Sequence, residues 1–225
     1  MIHPKKVLII EDEPMILENY ERALISIENN STSLKFCIDQ ATNCQEAFDK
    51  IKLARHNKRL DLVFLDIRLR PSPDHKIQSG EDLGIMIRKN LPNTKIIVIT
   101  SHDEAFRLNN ILNTVQPEGF LVKSDIDFSD LIETIKKVMD EKNHFSHTVA
   151  TLLKRNSLNK TTLGDVDIKL LHEISNGAKM KELVELLHLS KSGVEKRKRR
   201  IKEKFDDWHM SDRDMILAAK EKGFI

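Results

Sequence analysis

The first two thirds of the chain alternate short, β-branched apolar runs with longer stretches in which apolar residues recur every three or four positions. Five runs have the length and composition of buried strands: Lys6 to Ile10, Leu34 to Ala41, Leu62 to Asp66, Lys95 to Thr100 and Gly119 to Lys123. Between and after them the spacing predicts helices over Pro14 to Ile27, Cys44 to Ala54, Glu81 to Asn90, Glu104 to Asn113 and Ser129 to Glu141. Strand and helix in strict alternation is the pattern of βαβ units around a parallel sheet. Pro14 suits a first helical turn, and Asp127 or Ser129 suits an N-cap. The fold class expected is α/β, a (βα)5 doubly wound, flavodoxin-like parallel sheet over residues 1–141.

Residues 142–161 break this rhythm. They are polar and weakly periodic, and read as a linker with a helical stretch around Thr148 to Arg155. Beyond them, over 162–225, strand-like runs are absent and helical periodicity takes over, which predicts a second, smaller all-α domain. Val166, Ile168, Leu170, Leu171 and Ile174 make one helix, which Gly177 would end in a left-handed cap. A second runs from Lys179 to Leu187, with Met180, Leu183, Val184, Leu186 and Leu187 turned to the core. Ser190 caps a third that reaches about Phe205. Short helix, brief turn and longer helix form the helix-turn-helix pattern. A last helix opens at Ser211, with Asp214 three residues on, and runs toward Gly223.

Charge sharpens the division. Residues 1–145 carry 20 Lys and Arg against 23 Asp and Glu, a net −3, whereas 146–225 carry 17 against 12, a net +5. The excess concentrates on the third helix of the second domain, where Val194, Ile201 and Phe205 keep core spacing. Lys191, Lys196, Arg197, Lys198, Arg199, Arg200, Lys202 and Lys204 fill its remaining surface. Phosphates on duplex DNA reward such density through counterion release, and a helix of this size fits the major groove. The competing reading is a solvated face paired with Glu195, Glu203 and Asp206 at i, i+3 or i+4.

No stretch approaches the roughly 18 uninterrupted apolar residues of a membrane span, and Met1 to Lys6 lacks signal-peptide features. The expectation is a cytoplasmic protein without membrane contact. The two cysteines, Cys37 and Cys44, have no metal-ligand spacing and are expected to be core thiols.

Ligands of open α/β sheets bind at the carboxyl ends of the strands. Those ends carry Glu11 and Asp12, then Asp66, Thr100 and Lys123. Three converging carboxylates call for a hard divalent cation, typically Mg²⁺. Thr100 and Lys123 suit phosphoryl oxygens, which leaves Asp66 as the nucleophile of an acyl-phosphate chemistry.

Through EDE at Glu11 to Glu13, FLDIRL around Asp66, IT at Thr100 and FLVK at Lys123, the chain resembles the response-regulator receiver family of bacterial two-component systems. The resemblance implies that Glu11, Asp12 and Asp66, with the backbone carbonyl of Arg68, bind Mg²⁺, and that a sensor histidine kinase phosphorylates Asp66. Thr100 and Lys123 would contact the phosphoryl group, and Phe120 would be the aromatic switch residue. Such a protein is no enzyme toward outside substrates. Two departures are a long loop from Arg70 to Ser79, expected to shield or gate the pocket, and His102 two positions after Thr100. Ser124 stands where many receivers have proline, as is frequent in receivers joined to LuxR-type output domains.

Residues 163 to 225 resemble the LuxR/NarL-type output domain through LLHEISNGAKMKELVELLHLSKSGVEKRKRRIKEKF and the closing KGFI. This implies double-stranded DNA as partner, transcription control as function, and a homodimer when phosphorylated or DNA-bound. Transfer by position nominates Lys196 and Arg199 for DNA contact, with Lys191, Ser192, Arg197 and Arg200 nearby. Gly193 and Glu195 depart from the usual pattern. They leave room for an alternative in which the helical domain binds a protein partner.

Overall fold

The computed structural model describes residues 3–31, 34–57, 59–74, 76–158 and 163–225, without the side chains of 56, 57 and 158. Six strands, β1 (Lys5–Ile10), β2 (Phe36–Ala41), β3 (Leu62–Asp66), β4 (Lys95–Thr100), β5 (Gly119–Val122) and β6 (His144–Phe145), form one parallel sheet in the order β2-β1-β3-β4-β5-β6. The helices between them are α1 (Pro14–Asn29), α2 (Cys44–Asn57), α3 (Gly80–Asn90), α4 (Ala105–Thr114) and α5 (Phe128–Met139). The order reverses after β1, so the carboxyl ends of β1 and β3 lie side by side at the point where a doubly wound sheet opens its crevice.

The central strands are buried on both faces because helices cover both, which is why they read as uninterrupted apolar runs. On one face Val7, Ile9, Leu62, Phe64, Ile97, Ile99 and Leu121 meet the apolar stripe of α1 (Leu17, Tyr20, Ala23, Leu24, Ile27) and that of α5 (Leu131, Ile135, Val138). Pro14 occupies the first turn of α1 as expected. Asp127 caps α5 in a reciprocal box with Asp130, accepting from the Ser129 and Asp130 N–H groups.

The expected five-strand sheet gains a sixth member from the segment read as linker. The His144 N–H donates to the Glu118 carbonyl at 2.9 Å, and the Ser146 N–H to the Phe120 carbonyl at 3.0 Å. Two half-buried residues are too few to show alternation, so the sequence carried no strand signal there. The helix expected around Thr148 to Arg155 is present as α6 (His147–Leu158). The Asp125 carboxylate holds its start, accepting from Thr148 N–H at 2.7 Å, Thr148 Oγ1 at 3.0 Å and Ser146 Oγ at 2.9 Å. The expected boundary at 161/162 falls outside the described residues, as does His75 of the long loop.

The chain divides into two compact units, residues 1–103 with 110–149 and residues 104–109 with 150–225. The second contains α7 (Asp165–Ser175), α8 (Met180–Leu187), α9 (Lys191–Lys204) and α10 (Asp212–Glu221), packed on Leu170, Leu171, Leu183, Leu187, Val194, Ile201, Phe205, Met215, Ala219 and Phe224. Gly177 takes a φ of +87° just after α7, a conformation that favours glycine. Ser190 accepts from the Gly193 N–H, and Ser211 from the Asp214 N–H, at the starts of α9 and α10. Two expectations fail. Leu186 is exposed, because the stripe of α8 that meets the core is Leu183 and Leu187. Cys37 is exposed on edge strand β2, while Cys44 is buried.

Candidate phosphoacceptor pocket and basic helix

Glu11, Asp12 and Asp66 each offer a carboxylate oxygen, and these atoms lie within 4.8 Å of one another. Glu11 and Asp66 are buried, and Asp12 sits at the rim. β1 and β3 pair in parallel from Val7↔Leu62 to Ile10↔Leu65, so both strands deliver their acidic ends to one level. Lys123, just past β5, reaches across: its Nζ lies 3.0 Å from Asp66 Oδ2, 3.1 Å from Glu11 Oε2 and 3.4 Å from Glu13 Oε1. Burial, and after it the Asp66 carboxylate, push the Glu11 carboxyl up to about 7, against the opposing pull of Lys123. Burial alone would lower the Lys123 pKa, but Asp66 and Glu11 outweigh it and raise it, so the ammonium is a fixed charge. Three oxygen donors of this hardness, so close together, fit a small divalent cation.

The backbone supports the pocket. The Arg68 N–H donates to Asp66 Oδ1 at 2.9 Å. The Gly80 N–H donates to the Ile67 carbonyl at 3.0 Å, and α3 begins so close to β3 that a Cβ on Gly80 would sit 1.8 Å from the Asp66 carbonyl oxygen. Only glycine fits there. The loop from Arg70 to Ser79 is folded on the buried Ser72, whose Oγ donates to Asp74 Oδ1 at 2.7 Å and accepts from the Ile77 N–H at 3.1 Å.

Thr100 is buried at the end of β4, and its Oγ1 accepts from the His102 N–H at 3.1 Å. The register Val98↔Phe120 and Thr100↔Val122 puts Phe120 on the same sheet face as Thr100, fully buried. Two neighbours of the pocket escaped the sequence reading. Glu13 shares Lys123. Tyr20, the single tyrosine of the chain, donates its hydroxyl to Glu11 Oε2 at 3.4 Å. Its being the one polar member of the buried α1 stripe was the available signal.

In the second unit the basic residues of α9 other than Lys204 separate into three groups. Lys191, Ser192, Lys196 and Arg199 line an open groove of about 920 Å³ together with Ser190 and Glu195. Arg197 turns the other way: its Nη1 lies 2.6 Å from Oδ1 of Asp167, a fully buried carboxylate on α7, and Arg200 Nη2 lies 3.5 Å from Oδ2. Lys198 and Lys202 both engage Asp212 and so fasten α9 to α10. The crowd of cations is therefore part open groove and part scaffold.

The response regulator receiver domain family matches residues 7–136. Among curated proteins, the chain is 23% identical over 213 residues to the oxygen regulatory protein NreC of Staphylococcus carnosus, covering 89% of this chain and 91% of that protein. It is 23% identical over 197 residues to the nitrate/nitrite response regulator protein NarP of Escherichia coli, covering 85% and 84%. A solved complex of the two-component response regulator RcsB with DNA shares the fold, with a TM-score of 0.61 at 18% identity over 97% of this chain and 98% of that one. None of the described helices is long and apolar enough to cross a membrane. The receiver match spans more than half of the chain and includes every strand end that builds the acidic pocket, and the chain therefore belongs to the response regulator receiver family.

Proposed function

We propose that this response regulator accepts a phosphoryl group on Asp66 from a sensor histidine kinase and answers by changing its binding to DNA. The observation that carries the reading is Lys123 Nζ standing 3.0 Å from Asp66 Oδ2 beside the Glu11, Asp12 and Asp66 cluster. An Asp66 oxygen attacks phosphorus, an O–P bond forms, and the P–N bond to the kinase histidine breaks, with the electron pair returning to the imidazole. Glu11, Asp12 and Asp66, with the Arg68 carbonyl, would hold Mg²⁺, which supplies charge neutralisation for the phosphoryl oxygens. Lys123 takes one of those oxygens and the Thr100 hydroxyl another. Thr100 is drawn toward the phosphoryl group, and Phe120, on the same sheet face, follows it. The folded loop around Ser72 borders the pocket and sets the lifetime of the product.

The receiver comprises residues 1–141 together with β6, which the expected linker 142–161 contributes to its sheet, and residues 162–225 make a LuxR/NarL-type helix-turn-helix domain with α9 as the recognition helix. Lys196 and Arg199 reach the DNA, flanked by Lys191 and Ser192 along the same groove. Arg200 adds a phosphate contact, and Arg197 supports the helix from behind through Asp167. The regulator names of NarP and NreC and the RcsB–DNA complex support transcription control on duplex DNA, and the bound form proposed is a homodimer.

The test compares wild type with Asp66→Asn, each with acetyl phosphate and Mg²⁺. Expected are one added phosphoryl group on wild type alone by intact mass, a phosphorylation-dependent dimer by sedimentation, and phosphorylation-dependent selection of one sequence family from a random duplex pool. Equal behaviour of the two proteins would overturn the proposal.

A further inference from the structure

Tyr20 is nearly fully buried in α1, and its ring stacks on Phe64 of β3 with centroids 5.4 Å and planes 16° apart. Packing therefore fixes where its hydroxyl points, and that oxygen lies 3.4 Å from Glu11 Oε2. The other residues of the same buried stripe, Leu17, Ala23, Leu24 and Ile27, are apolar. A leucine or phenylalanine would satisfy the packing at Tyr20 equally well. A buried phenol brings a polar atom that must find a partner, and among the described residues that partner is a carboxylate of the acidic cluster.

The remaining donors to Glu11 show why this matters. The Glu13 N–H donates to Oε1 at 3.3 Å, and Lys123 Nζ approaches Oε1 at 3.3 Å and Oε2 at 3.1 Å. Lys123 is shared with Glu13 and Asp66. Once Lys123 turns to a phosphoryl oxygen, Glu11 keeps the Glu13 N–H on one oxygen and Tyr20 on the other. Glu11 also has one more rotatable bond than an aspartate, hence more freedom to lose when it ligates. A fixed hydroxyl on one oxygen restricts that freedom before a cation arrives.

We propose that Tyr20 is a positioning residue for Glu11, its hydroxyl holding the carboxylate in the orientation that meets the divalent cation. The inference rests on the reading of Glu11, Asp12 and Asp66 as the metal site. Tyr20 touches neither cation nor phosphate. It acts through the ligand, as outer hydrogen-bond partners of metal ligands do.

The test is Tyr20→Phe in the full chain, which keeps the ring, the stack and the volume and removes one oxygen. Mn²⁺ binding is followed by electron paramagnetic resonance of the free ion, and Mg²⁺ by competition. The dissociation constant for Mn²⁺ is expected to rise about three- to tenfold. In acetyl phosphate labelling of Asp66, the half-saturating Mg²⁺ concentration rises by a similar factor, while the rate at saturating Mg²⁺ stays within about twofold of wild type. A packing role alone would lower the melting temperature of the metal-free protein and leave the dissociation constant unchanged. In a Glu11→Asp background, whose shorter side chain withdraws from the hydroxyl, Tyr20→Phe is expected to shift Mn²⁺ binding by less than about twofold. A rise below about threefold in the wild-type background, or an equal rise in both backgrounds, would overturn the role of Tyr20. If wild type binds no Mn²⁺ at all, the metal-site reading fails and this inference with it.

Discussion

Arg197→Ala separates scaffold from interface on α9. The Asp167 carboxylate is fully buried, and its Oδ2 accepts no hydrogen bond among the described residues, so its charge rests on Arg197 at 2.6 Å and Arg200 at 3.5 Å. Removing one partner of a fully buried ion pair costs about 3–5 kcal/mol, because the other is left uncompensated. Arg197 is itself 31% exposed, and Arg200 remains to share the carboxylate. The expected loss is therefore about 2–3 kcal/mol in the stability of the second unit. Because the single tryptophan, Trp208, is already 67% exposed when folded, unfolding of that unit is read in urea by hydrogen exchange of the α7 and α9 amides. Adding Asp167→Asn to the variant removes the stranded charge and should recover about half of the loss, a coupling that a double-mutant cycle reads directly. Arg197→Ala with a stability within about 0.5 kcal/mol of wild type would refute the reasoning and return Arg197 to the DNA-facing set.

Lys196→Ala and Arg199→Ala should leave urea stability within about 0.5 kcal/mol and reduce the slope of log affinity for duplex DNA against log salt by about one each. Unchanged slopes in a filter-binding titration would count against the groove as the DNA face. Gly80→Ala forces a methyl group into the Asp66 carbonyl, so a cost of at least about 2 kcal/mol and loss of acetyl phosphate labelling are expected, checked by chemical unfolding and intact mass. Asp125→Ala should cost about 1–2 kcal/mol by releasing the start of α6, measured by thermal unfolding. Burial works against the Asp125 charge, but donors from Thr148 and Ser146 outweigh it and hold its pKa below the usual aspartate value. Its contribution is thus complete above the unfolded-state pKa of roughly 3.9 and fades as pH falls through the lower folded value, so the two proteins should converge in acid.

Much of this was legible because buried parallel strands are locally written. Four of the expected five strands are apolar runs that close on a candidate site residue, so Asp66, Thr100 and Lys123 could be placed from pattern alone. The caps Ser190, Ser211 and Gly177 are likewise local signals, each tied to its own helix end. What resisted reading depends on partners distant in sequence. Arg197 looks like its neighbours on α9 until Asp167, 30 residues earlier, is brought beneath it. Lys198 and Lys202 meet Asp212 only because α10 packs across. β6 is too short for periodicity and exists because β5 offers an open edge. Leu186 was misassigned because α8 is so rich in leucine that its apolar stripe cannot be phased without its neighbours.

That short strand bears on any attempt to dissect the protein. A fragment cut after Glu141, where the α/β pattern ends, would lose His144 and Phe145, which are the strand paired with β5 along that side of the sheet among the described residues. The bared carbonyls of Glu118 and Phe120 would be a template for intermolecular pairing. Ser146 and Thr148 would go too, and Asp125, two residues from Lys123, would lose the donors that pin it. A soluble excised receiver should therefore extend into the first turn of α6, and self-association of shorter fragments would be a product of the cut.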